Sequence, residues 1–217
     1  MRMGIESDQG PVRKEGESGH YKGLSYEILY ELGSIGAGNA ATALSELIHR
    51  KISINVPNIH IVSPLKIPDI LKFYDMHTVV VIAQLTSNME CDMLLVFPVE
   101  EAKKLVDFMA QGLMDGELTE NITLIEELGN IIIGNFLNAI SDFTGIMLQP
   151  TPPTHVVDLF DAILDMFLAN ISLQERDALL FDARMRCDEE DIHGAILMFI
   201  SRELQEKLIE RSEDWLD

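Results

Sequence analysis

Two pairs of polar residues, each with a spacing of three, are the strongest candidates for chemistry in this sequence. Glu127 and Asn130 form one pair. Glu31 and Ser34 occupy the matching positions 96 residues earlier. In a helix this spacing places both side chains on one face, where a carboxylate can accept hydrogen bonds from a cation and a carboxamide can orient a water. One such pair alone would be typical of a solvated helix surface, but recurrence at one register favours a functional face.

Both pairs belong to an internal repeat. The stretches "ELGSIGAGNAATALSEL", from Glu31, and "ELGNIIIGNFLNAISDF", from Glu127, align without a gap at an offset of 96 residues. The same offset places Pro153 under Pro57. Two copies of so long a unit do not make a solenoid. They predict one pseudo-symmetric domain built from a duplicated half.

The sequence predicts the same order of elements in each half: helix, strand, helix, strand, strand, helix. Apolar residues at spacings of three and four predict the motif helices over about 24–49 and 120–145. The other elements are predicted, in order, at 58–62, 65–74, 78–85, 92–99 and 99–113, and at 154–157, 159–171, 177–186, 194–201 and 201–215. Ser201 is the expected N-cap of the last helix. Short turns between neighbouring strands imply antiparallel pairing. The predicted class is α/β of the α+β type, a single pseudo-two-fold domain whose antiparallel sheet is flanked by helices.

Composition indicates one folded domain after a polar extension. Residues 1–22 are polar and glycine-rich and are expected to form a disordered tail, followed by a domain over 23–217 with halves at about 23–113 and 117–211. The formal net charge of −20 argues against nucleic-acid binding and against an anionic membrane surface. No apolar run has the length of a membrane span or the form of a signal peptide, so we expect a cytoplasmic protein without membrane insertion.

The cysteines and histidines form no pattern typical of a metal site. Cys91 and Cys187 lie far apart and lack C-x-x-C spacing, so we expect buried or half-buried thiols in a reducing compartment. The six histidines are scattered and form no H-E-x-x-H motif. The sequence therefore predicts no metal site on this chain.

The stretch from Gly36 to Ala41, "GAGNAA", resembles the G-x-G-x-x-A dinucleotide fingerprint. That fingerprint must follow a strand and begin a helix. The residues before Gly36 have helical spacing instead, and the second copy has Ile132 in its place. A phosphate-binding turn is therefore disfavoured.

The glycines shared by both copies need another explanation, because glycine in a helix interior costs about 1 kcal/mol relative to alanine. These are Gly33 and Gly129, and Gly38 and Gly134. We predict that both pairs lie where a motif helix packs closely against the sheet or against the other helix.

The doubled E-x-x-N-like motif, each copy followed by a proline, resembles the signature of the CheC/CheX/FliY family of chemotaxis phosphatases. The resemblance covers residues 24–211 approximately. It implies hydrolysis of the aspartyl phosphate of a phosphorylated CheY-type receiver domain, on which the motif helix docks. The glutamate would pair with the receiver's lysine, and the asparagine would align the attacking water. The Mg²⁺ would be supplied by the receiver, so no cofactor is implied on this chain.

Carried over to this sequence, the resemblance assigns the catalytic roles to Glu127 and Asn130. Pro57 and Pro153, with Gly38 and Gly134, are the structural positions of the motif.

The first copy departs from the family pattern. It keeps Glu31, but Ser34 stands at the asparagine position and presents no carboxamide. Four residues before each glutamate, where the family has Asp or Ser, stand Glu27 and Thr123. One competent site and one degenerate site are therefore expected.

Two non-catalytic alternatives stay open. Family members also bind CheD, a receptor-modifying deamidase, so a half-degenerate chain could act as a CheD-binding regulator. It could also be a taxis scaffold that uses neither partner.

Overall fold

The computed structural model describes residues 26–73, 75–85, 91–110, 122–170, 178–188 and 190–216. The tail expected at residues 1–22 lies outside them.

Each half contains the six predicted elements in the predicted order. The first half comprises α1 (Tyr26–Ile48), β1 (Ile52–Val62), α2 (Ile67–Leu71), β2 (His77–Gln84), β3 (Cys91–Pro98) and α3 (Val99–Met109), with a 3-10 turn at Pro64–Lys66 before α2. The second comprises α4 (Ile122–Thr144), β4 (Thr154–Leu159), α5 (Phe160–Asn170), β5 (Ala178–Cys187), β6 (Glu190–Ile200) and α6 (Arg202–Leu216). The Leu204 amide donates to Ser201 Oγ at 3.3 Å, which confirms the predicted N-cap of α6.

The two motif helices are structural equivalents. Both α1 and α4 have 23 residues, and their first and last residues are 96 positions apart, the offset of the sequence repeat. Residues 31–34 and 127–130 lie within continuous helix. No strand leads into Gly36, so the dinucleotide-binding turn is excluded.

The sheet shows that the two halves are interlocked. Its six strands are ordered β1-β5-β6-β3-β2-β4, and every pairing is antiparallel. Exchanging β1 with β4, β2 with β5 and β3 with β6 gives the same order in reverse. A pseudo-two-fold axis therefore passes between β3 and β6, where Leu95 lies opposite Ile196. Each edge strand pairs with a strand of the other half, so the fold confirms a single pseudo-two-fold domain.

The two motif prolines mark a break in each edge strand. The pairing of β1 with β5 shifts register between Asn55 and Asn58, around Pro57. Pro153 lies between an isolated bridge at Pro150 and the start of β4. Because proline cannot donate to a ladder, both are placed where an edge strand is already interrupted.

Helices cover both faces of the sheet. Along β3, Met93, Leu95 and Phe97 pack in a core with α1, α4, α3 and α6. The intervening Leu94 and Val96 pack in a second core with α2 and α5. This alternation follows from the two-residue period of a strand. It fixes α1 and α4 on one face, with their apolar sides towards the sheet.

The packing explanation is confirmed for the first pair of shared glycines. A Cβ at Gly33 would lie 3.1 Å from the Phe181 ring, and one at Gly129 would lie 2.5 Å from Val81 Cγ1. A larger residue at Gly129 would force Val81 or the helix to shift, whereas one at Gly33 would require the Phe181 ring to move by a few tenths of an ångström. Gly36, the unshared glycine, serves the contact between helices: its Cβ would lie 3.0 Å from Phe136.

The packing explanation is wrong for Gly38 and Gly134. A Cβ at either position would have no atom within 4 Å. Gly38 is five residues after Gly33, a rotation of about 140° around the helix, which turns it away from the sheet. The shared glycines therefore fall into a packed pair and an open pair.

Candidate functional site

The α4 face carries Glu127 and Asn130 side by side in solvent. Both residues are exposed, whereas Leu128 and Gly129 between them are buried. The orientation is fixed by the opposite side of α4, where four apolar residues are no more than 2% exposed, namely Ile125, Leu128, Ile132 and Phe136. The pair thus stands on a helix that cannot rotate without exposing its core face.

The polar groups of this pair are available to a partner. Within the described part of the chain, neither Glu127 nor Asn130 has a side-chain hydrogen bond. Asn135, by contrast, donates from its Nδ2 to the Ile131 carbonyl of its own helix at 2.8 Å. Glu127 can accept from a cation, and the Asn130 carboxamide can both donate and accept.

The α1 face has a similar position and different chemistry. Glu31 is exposed, and Ser34 is half-buried. Serine ends in a hydroxyl one bond closer to the backbone than the carboxamide group of asparagine. The Ser34 hydroxyl therefore cannot reach as far into a partner as Asn130 can.

A groove of about 250 Å³ adjoins Glu31, and its lining shows how the two helices run. It is formed by the first part of α1 and the last part of α4, with the lining residues Ile28, Glu31, Leu32, Ile35, Ala139, Asp142 and Phe143. The helices are therefore antiparallel. Asp142 is about 22 Å along α4 from Glu127, at 1.5 Å per residue. The two motif copies form separate faces and not one shared site.

The two faces also differ in the placement of charge. One turn before the motif glutamate, the α1 face has Glu27 and the α4 face has Thr123, both exposed. Glu31 thus has a second glutamate one turn earlier on its face, whereas Glu127 has a hydroxyl there. Glu127 has instead the partly exposed Glu126 directly before it, where α1 has Tyr30, so the two faces differ in where their acidic residues lie.

A contact that the sequence reasoning missed lies beside the α4 face. His155 Nδ1, on β4, is 2.7 Å from Glu126 Oε1, and both side chains are about one-third exposed. The pair ties the start of α4 to the edge strand. The equivalent positions in the first half hold Tyr30 and Ile59, which cannot form it. Comparing the two copies at these positions was the available sequence signal.

The cysteines are buried, as expected. Cys91 and Cys187 are both buried thiols inside the fold. Burial, and then the nearby Asp188 carboxylate, raise the pKa of the Cys187 thiol, which favours its neutral form.

In the part of the chain that the structure describes, no three His, Cys, Asp or Glu side chains are grouped as a metal site requires. None of the described helices is long and apolar enough to cross a membrane.

Comparisons with known proteins agree with the duplicated motif. The model of the CheC-like family matches residues 27–61 and 124–157, the two motif copies with their prolines. The chain is 27% identical over 191 residues to the CheY-P phosphatase CheC of Bacillus subtilis (strain 168), covering 84% of this chain and 90% of that protein.

Solved structures match the fold over most of the chain. The crystal structure of Thermotoga maritima FliY gives a TM-score of 0.69 at 24% identity, covering 87% of this chain and 96% of that one. The FliM middle domain from H. pylori gives a TM-score of 0.63 at 10% identity, covering 87% and 99%. At these identities the structural matches show a shared fold.

Proposed function

We propose that this chain, in which two segments match the CheC-like family, hydrolyses the aspartyl phosphate of a CheY-type response regulator, with the Glu127–Asn130 face of α4 as its active face. The relative in Bacillus subtilis is a CheY-P phosphatase. The observation that carries the proposal is the exposed carboxylate–carboxamide pair on a helix whose opposite side is buried. We also propose that the protein acts in the cytoplasm, where its phosphorylated substrate would be produced.

The reaction requires positioning more than it requires a nucleophile. An aspartyl phosphate is an acyl phosphate: the oxygen of water attacks phosphorus, the bond from phosphorus to the carboxylate oxygen breaks, and inorganic phosphate and a free aspartate result. The receiver domain would contribute the Mg²⁺ that neutralises the phosphoryl oxygens. What remains for this chain is to hold the water in line with the breaking bond, which is catalysis by orientation.

Asn130 would hold that water. Its carboxamide oxygen can accept a hydrogen bond from the water and so direct a lone pair of the water oxygen towards phosphorus. The side chain is short and comes from a helix that is packed on the sheet, so the oriented water loses little precision through motion of its support.

Glu127 would anchor the docked helix. Its carboxylate, three residues before Asn130, can form a charge-assisted hydrogen bond with the receiver's lysine. Docking removes water from this pair and strengthens it relative to an exposed ion pair. The bond sets the position of α4 along the receiver, and hence the position of Asn130.

Phosphate release from a phosphorylated CheY-type receiver tests the proposal. The wild-type chain should shorten the lifetime of the phosphoryl group. Asn130→Ala should reduce this acceleration about 100-fold, the scale of a lost positioning contact. Ser34→Ala is the matched control and should retain wild-type activity. Full activity of Asn130→Ala would contradict the assignment, and no acceleration by the wild-type chain would contradict the function.

The α1 face favours one alternative. It has lost the carboxamide and adjoins the 250 Å³ groove, so it is suited to binding without hydrolysis. We propose as the second candidate a non-catalytic complex with a CheD-type deamidase. Titration of CheD in the presence and absence of phosphorylated receiver separates the two: a pure regulator would bind CheD and leave the phosphoryl group in place.

A further inference from the structure

Gly38 and Gly134 are repeated at equivalent positions although nothing inside the protein requires them. An added Cβ at either position would contact no atom within 4 Å. Glycine destabilises a helix interior relative to alanine, and both helices continue for ten residues beyond it, to Ile48 and Thr144. These glycines therefore do not end a helix, and alanine in their place would fit and stabilise it.

The other glycines of these helices show what glycine does here. Gly33 and Gly129 allow the sheet to approach, and Gly36 allows Phe136 to approach. In each case the missing side chain admits a neighbour that a Cβ would displace. The open pair has the same property towards the outside of the molecule.

Gly134 lies on the same side of α4 as the proposed active pair, one turn beyond Asn130. It follows Glu127 by seven residues and Asn130 by four. At about 100° per residue, its Cα direction falls between those of the two side chains. One turn further, Asn138 is exposed on the same face. The polar side of α4 thus has a half-buried glycine, without a side chain, between the exposed Asn130 and Asn138.

We infer that Gly134 is a position of closest approach between α4 and the phosphorylated receiver domain, an inference that rests on the proposed function. The asparagine side chain is short. For the Asn130 carboxamide to reach a water beside a phosphoryl group in the receiver's pocket, the backbone of α4 must lie close to the receiver surface. Glycine one turn away removes the Cβ that would hold the helix off, as glycine does wherever backbone must approach a ligand.

Substitutions of increasing size test this inference. Gly134→Ala should leave the free energy of unfolding unchanged or higher, because the site is open and alanine favours helix. The same substitution should lower kcat/KM for the phosphorylated receiver about tenfold, and Gly134→Leu should lower it further, as expected when a packed interface receives an extra group. Gly38→Ala is the matched control on the α1 face and should retain wild-type kcat/KM.

Direct binding separates docking from chemistry. In an Asn130→Ala background the phosphoryl group persists, so the Kd of the receiver can be measured. Adding Gly134→Ala should raise that Kd about tenfold, whereas adding Gly38→Ala should not.

The failures of the two proposals are distinguishable. If the wild-type chain neither binds nor dephosphorylates the receiver, the proposed function is wrong. If it does both and Gly134→Ala and Gly134→Leu match wild type, the inference alone is wrong. Equal losses in Gly134→Ala and Gly38→Ala would also overturn it, because they would not be local to the Asn130 face.

Discussion

The α1 and α4 faces share one backbone arrangement but differ at the exposed residues that could take part in chemistry. Both helices have the same length, the same register and a packed glycine at the same position against the sheet. Their exposed residues diverge: Ser34 stands opposite Asn130, and Glu27 stands opposite Thr123. Packing against the shared sheet constrains the size of the buried residues, whereas the exposed residues are constrained only by what binds to them.

The helix–helix contact shows that even the packing is not an exact copy. Gly36 on α1 faces Phe136 on α4. The pseudo-equivalent positions are Ile132 on α4 and Ala40 on α1. At these two repeat positions the sizes therefore differ between the copies: the first copy has the small residues Gly36 and Ala40, and the second has the large residues Ile132 and Phe136.

The largest expected effect comes from exchanging the carboxamide between the two faces. Asn130→Ser should lower receiver dephosphorylation about 100-fold, because serine cannot reach the water that the carboxamide orients. Introducing Ser34→Asn into that variant asks whether the α1 face lacks only this group. Recovery of phosphate release would mean that it does. No recovery would place the remaining defect in Glu27 or in the half-buried position of residue 34.

Substituting the packed glycine should destabilise the protein more in the second half than in the first. Gly129→Ala should lower the free energy of unfolding by about 1–3 kcal/mol, because its Cβ would lie 2.5 Å from Val81 Cγ1. Gly33→Ala should cost less, since its Cβ would meet the Phe181 ring at 3.1 Å and that ring can shift by a few tenths of an ångström. Urea denaturation measures both. An equal decrease in the free energy of unfolding would contradict this, because it would mean that Val81 and the Phe181 ring move aside equally easily.

Removing the charge of the motif glutamate should reduce receiver dephosphorylation less than removing the carboxamide does. Glu127→Gln keeps the shape of the side chain and loses the charge-assisted bond to the receiver's lysine. Receiver dephosphorylation should fall about tenfold, since glutamine can still accept a hydrogen bond and the charge adds only about 1–1.5 kcal/mol to it. Glu31→Gln is the control and should change phosphate release little. A larger loss in Glu31→Gln than in Glu127→Gln would show that the receiver docks on α1 and would contradict the assignment to α4.

The order and type of the elements could be predicted because each depends on local periodicity, and the constant offset from Glu31 to Pro153 made the duplication visible. The exchange of edge strands could not be predicted, since pairing of β1 with β5 is a long-range choice among antiparallel alternatives. The role of the shared glycines was predicted correctly for Gly33 and Gly129 and wrongly for Gly38 and Gly134. A glycine in a helical pattern signals close approach, but only the placement of the sheet tells whether the neighbour is Val81 or lies outside the chain.

The smallest expected effect concerns the contact that only the second half has. His155 and Glu126 are partly exposed, so their pairing should contribute about 0.2–1 kcal/mol to the free energy of unfolding. A double-mutant cycle with Glu126→Ala and His155→Ala measures that coupling without the separate costs of each truncation. The matched cycle in the first half, Tyr30→Ala with Ile59→Ala, removes two residues that carry no charge. A coupling in the second half that disappears in high salt, and one in the first half that does not respond to salt, would identify the ion pair as the added element. Salt-independent coupling in both halves would instead mean that the His155–Glu126 contact contributes no ion pair to the stability of the second half.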